Sequence, residues 1–299
     1  MAEHTGQNYI YCCLSSGAFY KKTQKAIQDD YRQTLLTDYE VIGLNEQDDY
    51  VYVSAGNETL SAHVVIDTRP GSKQFLLENT QIFQIFAGYE ITTQDRNFNP
   101  YIAGLMKNLQ SDNQACSFDY ILPFSETSAL VEKTIFAKKF IDPRSLEDSL
   151  KDLMTTQVTG PYEMTRKEFG VLPMGLNKTQ KSTQKIIKAG INANILKPSS
   201  GYGFIRIQRW AEQVSSLIDQ GSYDKISKIS VDTTLSNFMD HTFLSVLDRD
   251  MAISEQIFTM IGQNISGDRF ARFMSDTANI GDYLNMILAV PKWPFIKAA

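Results

Sequence analysis

The run Ser128-Ala129-Leu130-Val131-Glu132-Lys133-Thr134-Ile135-Phe136-Ala137 carries one carboxylate among apolar and β-branched residues. In a strand, side chains alternate between faces, so Glu132 shares a face with Leu130, Thr134 and Phe136. Desolvation on such a face disfavours the charged form, raises the pKa and lets the group hold a proton that it can donate. The competing reading is an ion pair between Glu132 and a neighbouring cation such as Lys133 at a sheet edge. Aromatic residues cluster around this run in sequence: Phe83, Phe86 and Tyr89 before it, Phe118 and Tyr120 just upstream, Tyr202 and Phe204 downstream. Their faces can stabilise a developing cation by about 2 kcal/mol when desolvated, although most such rings serve as core. An acid in an apolar, aromatic-lined pocket suits protonation of an alkene.

Other chemistries lack their residues. The three histidines, His4, His63 and His241, are scattered, and there is no HExxH, so no metal site is expected. GxSxG and GxxxxGK[ST] do not occur, which disfavours serine-nucleophile and P-loop mechanisms. Lys and Arg number 29 against 34 Asp and Glu, a net charge of −5 with no long basic run, so nucleic acid is not an expected partner. Cys12, Cys13 and Cys116 are odd in number with no CxxC, which points to a reduced, cytoplasmic protein.

The elements that must position these residues fall into three stretches. The spacing of Ala26, Ile27, Tyr31 and Leu35 predicts an amphipathic surface helix over Phe19–Leu36. Short strands are expected at Tyr39–Leu44, Tyr50–Ala55 and His63–Thr68 as a meander, the last running into the turn Asp67-Thr68-Arg69-Pro70-Gly71. From Gln81 to Met174 the pattern is mostly strand, interrupted by a helix at Ser145–Gln157 that Asp142 and Pro143 start. After a Gly/Pro/Ser segment, Ala189–Gly203, come long helices. No stretch is long and apolar enough to span a bilayer. Met286, Ile287, Leu288, Val290, Trp293, Phe295 and Ile296, with Lys292 and Lys297, form either a terminal helix docked on the core or an apolar face for a membrane surface.

The segments resemble the flavoprotein lycopene cyclases, in family order along nearly the whole chain. They are Val64-Val65-Ile66-Asp67-Thr68-Arg69, Gln84-Ile85-Phe86-Ala87-Gly88-Tyr89-Glu90, Phe98-Asn99-Pro100 with Leu105-Met106, and Phe118-Asp119-Tyr120 through Pro123-Phe124-Ser125. They continue through Ala129-Leu130-Val131-Glu132-Lys133-Thr134, Glu168-Phe169-Gly170-Val171-Leu172-Pro173-Met174, Lys197-Pro198-Ser199-Ser200-Gly201-Tyr202-Gly203-Phe204, Arg272-Phe273 and Pro291–Phe295.

The resemblance implies an α+β (mixed α/β) fold: an incomplete FAD/NAD(P)-binding Rossmann-like domain with a substrate-binding antiparallel β-sheet and C-terminal helices. The expected boundaries are 1–75 for the remainder of the FAD-binding domain, 76–175 for the substrate-binding sheet and 176–299 for the FAD-contacting segment and helical part. It also implies acid-initiated ring closure of lycopene or a similar linear carotenoid beside reduced FAD, with NAD(P)H as reductant, at a peripheral membrane surface. Glu132 matches the acid of the family's L-x-E-x-T stretch. Glu168 matches a second acidic position that orients Glu132 or receives the proton; a salt bridge with Arg166 or Lys167 is its alternative. Asp67, Arg69, Pro198, Ser199, Ser200, Gly201 and Tyr202 match flavin-contacting positions. Phe86, Tyr89, Phe118, Tyr120 and Phe204 are expected along the substrate channel. The family's opening GxGxxG does not occur in these residues, so a longer gene product or another polypeptide is expected to supply a nucleotide-binding half. The alternatives are a degenerate relative that binds isoprenoid lipid without catalysis and a related isoprenoid-modifying flavoenzyme.

Overall fold

The structure, a computed structural model, describes residues 2–298, the side chain of Asn192 excepted. Helix α1 (Ser16–Asp29) starts at Ser15, whose hydroxyl accepts from the Ala18 amide, and buries no residue. It stops short of the expected Leu36. Asp30 accepts from the amide and guanidinium of Arg32, a local bonding pattern that competes with further helix.

Strands β1 (Val41–Glu46), β2 (Val51–Ala55) and β3 (Glu58–Ala62) form an antiparallel meander. Its third strand is not the expected His63–Thr68. Gly56, at φ +56°, turns the chain tightly, so the polar and mostly exposed β3 pairs at once with β2. An exposed polar strand has no apolar alternation to announce it. The apolar run instead gives β4 (Val65–Asp67), followed by α2 (Lys73–Asn79); β4 lies parallel to β10 (Ile186–Lys188).

Between them in sequence stand β5 (Thr80–Thr93), β6 (Gly104–Ser111), β7 (Ala115–Pro123), β8 (Ser128–Ala137), α3 (Glu147–Gln157) and β9 (Tyr162–Leu176). The five strands make one antiparallel sheet in the order β6-β7-β8-β5-β9. Alternation along β5 divides its residues between two cores. Phe83, Ile85, Ala87, Tyr89 and Ile91 pack with Leu150, Leu153 and Met154 of α3. Ile82, Phe118, Phe136 and Met174 face the other way, onto the C-terminal helices.

Those helices follow α4 (Phe204–Asp219): α5 (Thr234–Arg249), α6 (Ser254–Asn264), α7 (Gly267–Met274), α8 (Ile280–Ala289) and α9 (Lys292–Ile296). Leu244 and Leu247 of α5 and Ile257 of α6 carry the contact with the sheet. In the C-terminal segment, Met286, Ala289 and Val290 are buried, whereas Ile287, Leu288, Trp293 and Ile296 are exposed. The segment therefore docks on the core and still presents an apolar outer side. Among the described residues no helix is long and apolar enough to cross a membrane. The expected class, mixed α and β with an antiparallel sheet and C-terminal helices, is the one found.

Candidate active site

A row of directly opposed residues crosses four strands of the sheet. Tyr120 on β7 pairs with Glu132 on β8, Glu132 with Gly88 on β5, and Gly88 with Glu168 on β9. Directly opposed residues share a face, so both carboxylates rise on the same side of the sheet with a glycine between them. A Cβ at Gly88 would lie 3.1 Å from Glu168 Cγ, 3.3 Å from Glu168 Oε1 and 3.2 Å from Leu130 Cδ1. The missing side chain is what lets Glu168 lean toward β8. An isolated glycine within a strand marks such a close approach.

Burial pushes the Glu132 carboxyl up to about 7, and contact with Glu168, through its charge and a shared hydrogen bond, acts in the same direction. The Thr134 hydroxyl donates to Glu132 Oε1 at 2.5 Å and opposes the rise. Lys133 is not the partner of Glu132. As the next residue in the strand it points away, and its Nζ lies 2.8 Å from Asp119 Oδ1. Glu168 does have a cation: Arg166 Nη1 donates to its Oε2 at 2.5 Å, while Arg166 Nε donates to Glu90 Oε2 at 2.9 Å. Lys167 points to the other face and pairs with Glu147 of α3.

Two more segments close on this row. The Tyr120 hydroxyl lies 2.9 Å from that of Tyr202, which lies 3.4 Å from that of Tyr11. Burial raises all three phenols, and the charge of Glu132 adds to the rise at Tyr120 and Tyr202. Cys13 follows in the same N-terminal segment, where burial and the charges of Glu168 and Glu90 raise its thiol.

Tyr202 is held by a turn with an unusual anchor. The amides of Ser200 and Gly201 donate to the Lys197 carbonyl, and the Lys197 amide donates to the Tyr202 carbonyl. The Lys197 ammonium is fully buried, 2.8 Å from Asp240 Oδ2, 3.1 Å from Asp276 Oδ1 and 3.1 Å from Ser236 Oγ. Gly201, at φ +70°, sits where a Cβ would meet Gln84 Oε1 at 2.6 Å, so the glycine brings the turn down on the sheet. Gln84 Oε1 is buried without a partner, and the buried Ser199 hydroxyl neighbours the Asp240 carboxyl.

The sequence-predicted residues divide accordingly. Glu132, Glu168, Tyr120 and Tyr202 come together, with the ring of Phe86 packed over Gly170 on the same face. Tyr89 is not brought to them. One position past Gly88, it points to the opposite face and donates to Glu147 at 2.7 Å. Phe118 is core, its ring 5.0 Å from that of Phe136, and Phe204 meets Phe19 of α1 at 5.6 Å. Asp67 bonds Arg69 and Lys188 at the C-terminal ends of β4 and β10, and these cations hold its carboxyl well below the usual range. They line a pocket of about 200 Å³ with Ser72 and Gln180. Pro198, Ser199 and Ser200 lie in the turn already described. Sequence reasoning missed the spacing role of Gly88, for which an isolated glycine in a strand was the available signal. It also missed the reach of Tyr11 and Cys13, for which there was none.

The profile of the family described as lycopene cyclase protein matches residues 3–299. The chain is similar to the lycopene beta-cyclase of a Paracoccus species, 23% identical over 223 residues, which cover 71% of this chain and 57% of that protein. It thus spans somewhat over half the length of this curated relative. Among solved structures it resembles a geranylgeranyl bacteriochlorophyll reductase-like protein of Thermoplasma acidophilum, at 14% identity and a TM-score of 0.63, over 93% of this chain and 73% of that one. It also resembles the anhydrotetracycline hydroxylase OxyS of Streptomyces rimosus, at 13% identity and a TM-score of 0.49, over 85% and 55%. With the profile matched along almost its whole length, the chain belongs to the lycopene cyclase family.

Proposed function

We propose that this protein closes the ends of a linear carotenoid such as lycopene into rings by acid catalysis, with Glu132 as the acid. The observation that carries this reading is the carboxylate pair about Gly88, in which Glu132 is pushed up to about 7 and so keeps its proton near neutral pH. Protonation forms a C–H bond at a terminal alkene carbon and leaves a tertiary cation. The neighbouring double bond attacks that cation, closing the ring by a new C–C bond. Loss of a ring proton to a carboxylate of the pair then restores an alkene, so substrate and product have equal mass. Glu168 stands where it can take that proton. The rings of Phe86, Tyr120 and Tyr202 would border the polyene on this face.

FAD is the cofactor that this reading calls for. The turn Pro198–Tyr202 fits the ring end of such a group: Gln84 Oε1 beneath it is a buried polar atom without a partner, and α4 begins just beyond without a side-chain cap. Asp67 and Arg69 would approach the cofactor from the pocket at β4 and β10. Reduced by NAD(P)H, the flavin would supply negative charge beside the cation. Residues outside this sequence would grip its nucleotide end. The exposed Leu288, Trp293 and Ile296 would rest on a membrane surface, where the substrate dissolves.

The test is incubation of the flavin-loaded protein with lycopene in lipid vesicles under reducing conditions. The expected product has the mass of lycopene and bears rings, and Glu132→Gln abolishes it while flavin absorbance is retained. Undiminished turnover in Glu132→Gln would overturn the assignment. A product heavier by hydrogen or oxygen would place the protein among reductases or hydroxylases instead.

A further inference from the structure

Two carboxyl groups on one face need something to decide which keeps the proton, because like charges this close resist joint ionisation. Glu132 and Glu168 are alike in residue type and in register against Gly88, but not in their partners. Glu132 accepts from a neutral hydroxyl, that of Thr134. Glu168 accepts from a guanidinium at 2.5 Å. That guanidinium is itself aimed by a second carboxylate, Glu90, which is opposite Arg166 in the sheet and accepts from its Nε.

We propose that Arg166 assigns the proton within the pair: by ion-pairing Glu168 it holds that residue as the carboxylate, and Glu132 is left as the carboxylic acid. Arg166 is a positioning residue. It acts on the reacting group through Glu168, and the inference rests on the reading of Glu132 as the acid. The other groups facing Glu132 do not make the choice. Tyr120 from β7, Tyr202 from the turn, and Tyr11 and Cys13 from the N-terminal segment are neutral acids whose protons are held more tightly than usual. Glu90 from β5 is a further negative charge that Arg166 balances. Arg166 is thus the one cation that an ion pair ties to this cluster among the described residues. In turnover the arrangement has a direction: the proton leaves Glu132 for the alkene carbon, the proton released from the ring goes to Glu168, and its return to Glu132 resets the pair with no net gain or loss.

The experiment needs neither flavin nor substrate. Glutamate labelled at its carboxyl carbon is incorporated into the full chain, and resonances are assigned with Glu132→Gln and Glu168→Gln. In the unsubstituted protein, one resonance of the pair, Glu132, should titrate near pH 7, while Glu168 keeps its ionised position through that window. Arg166→Met should remove the preference, so that one proton is shared by the pair and both resonances shift together, each by part of the full change, in place of Glu132 alone. Arg166→Lys should restore the single titration, as should Arg166→Met with Glu168→Gln. Glu90→Gln, a milder change that leaves Arg166 to Glu168 alone, should keep Glu168 ionised further into acid, and it tests the idea if Arg166→Met does not fold. A Glu168 resonance indifferent to both changes overturns the role of Arg166 and leaves the acid assignment intact. A Glu132 that does not titrate near neutrality in the unsubstituted protein overturns both.

Discussion

Glu132 on β8 and Glu168 on β9 stand opposite one and the same residue, Gly88, from the two strands that flank β5. Strands two apart in a sheet are about 10 Å from each other, too far for most side chains of equal direction to meet over an ordinary residue. Here the intervening position has no side chain, and Glu168 leans into the space. The pairing of the two carboxyls is therefore a property of β5.

Gly88→Ala tests that property. The added methyl would sit 3.1 to 3.3 Å from three side-chain atoms of Glu168 and Leu130. Both neighbours must give way, at a cost typical of overpacking, about 1 to 3 kcal/mol. Glu168 would be pushed off the row, so the Glu132 titration should move down as the repelling charge retreats. Denaturant unfolding measures the first effect and carboxyl titration the second. An alanine variant with unchanged stability and titration would mean that the close approach has no consequence.

Stability should fall as pH rises through the neutral range. Glu132 has a folded-state value of about 7, raised from 4.5, so above 4.5 the folded protein holds a proton that the unfolded chain has released. Its contribution is fully present below 4.5, declines up to 7 and is gone above. At 1.36 kcal/mol per unit this is about 3 kcal/mol in all. Glu132→Gln cannot ionise. It should stabilise the protein at pH 8 relative to the unsubstituted chain and do much less at pH 4. Urea unfolding at the two pH values checks this, and a gain of equal size at both would count against a buried, proton-holding Glu132.

Thr134→Val removes the hydroxyl that donates to Glu132 Oε1 while nearly conserving volume at a fully buried position. That bond favours the ionised form. Its loss should move the Glu132 midpoint upward by about one unit, given about 1.5 kcal/mol for a hydrogen bond to a charged group. Thr134→Ser should keep the original midpoint. The alkaline limb of cyclisation should follow the same shift, so a limb that stays in place would separate Glu132 from the observed acid.

Much of this was legible in the residues, and the limits have physical causes. Period-2 alternation placed Glu132 with Leu130, Thr134 and Phe136, and the structure adds that Thr134 bonds it. The same rule, applied across strands, would have set Tyr89 on the far face once Gly88 was known to oppose Glu132. Register between strands is what a single sequence does not carry, so neither the pairing of Glu132 with Glu168 nor the division of Arg166 between Glu90 and Glu168 could be read. Asp142 and Pro143 start a short 3-10 turn, Pro143–Leu146, in which Asp142 accepts from the Arg144 amide; the expected helix follows as α3 only from Glu147, without a side-chain cap of its own, and ends at Gln157 as read. Strand β3 was not legible, because four of its five residues are exposed and its two apolar ones, Leu60 and Ala62, are too few to set a pattern.

Lys197 anchors the turn that carries Tyr202 to Tyr120, and Lys197→Met should be among the costliest single changes. It leaves two buried carboxylates without their shared cation. Asp276 keeps Arg206, at 3.1 Å, but Asp240 has no other cation within salt-bridge reach among the described residues. Breaking one side of a buried pair costs about 3 to 5 kcal/mol. Burial already raises the Asp240 carboxyl against the pull of Lys197. Without the ammonium, that carboxyl should take up a proton well before an ordinary aspartate would. The loss should accordingly be larger at neutral pH than in mild acid, and Lys197→Met with Asp240→Asn should recover part of it. Unfolding measured at two pH values decides the matter: a pH-independent loss that Asp240→Asn does not relieve would show that packing around Phe273, whose ring lies 4.7 Å from the ammonium, dominates over charge.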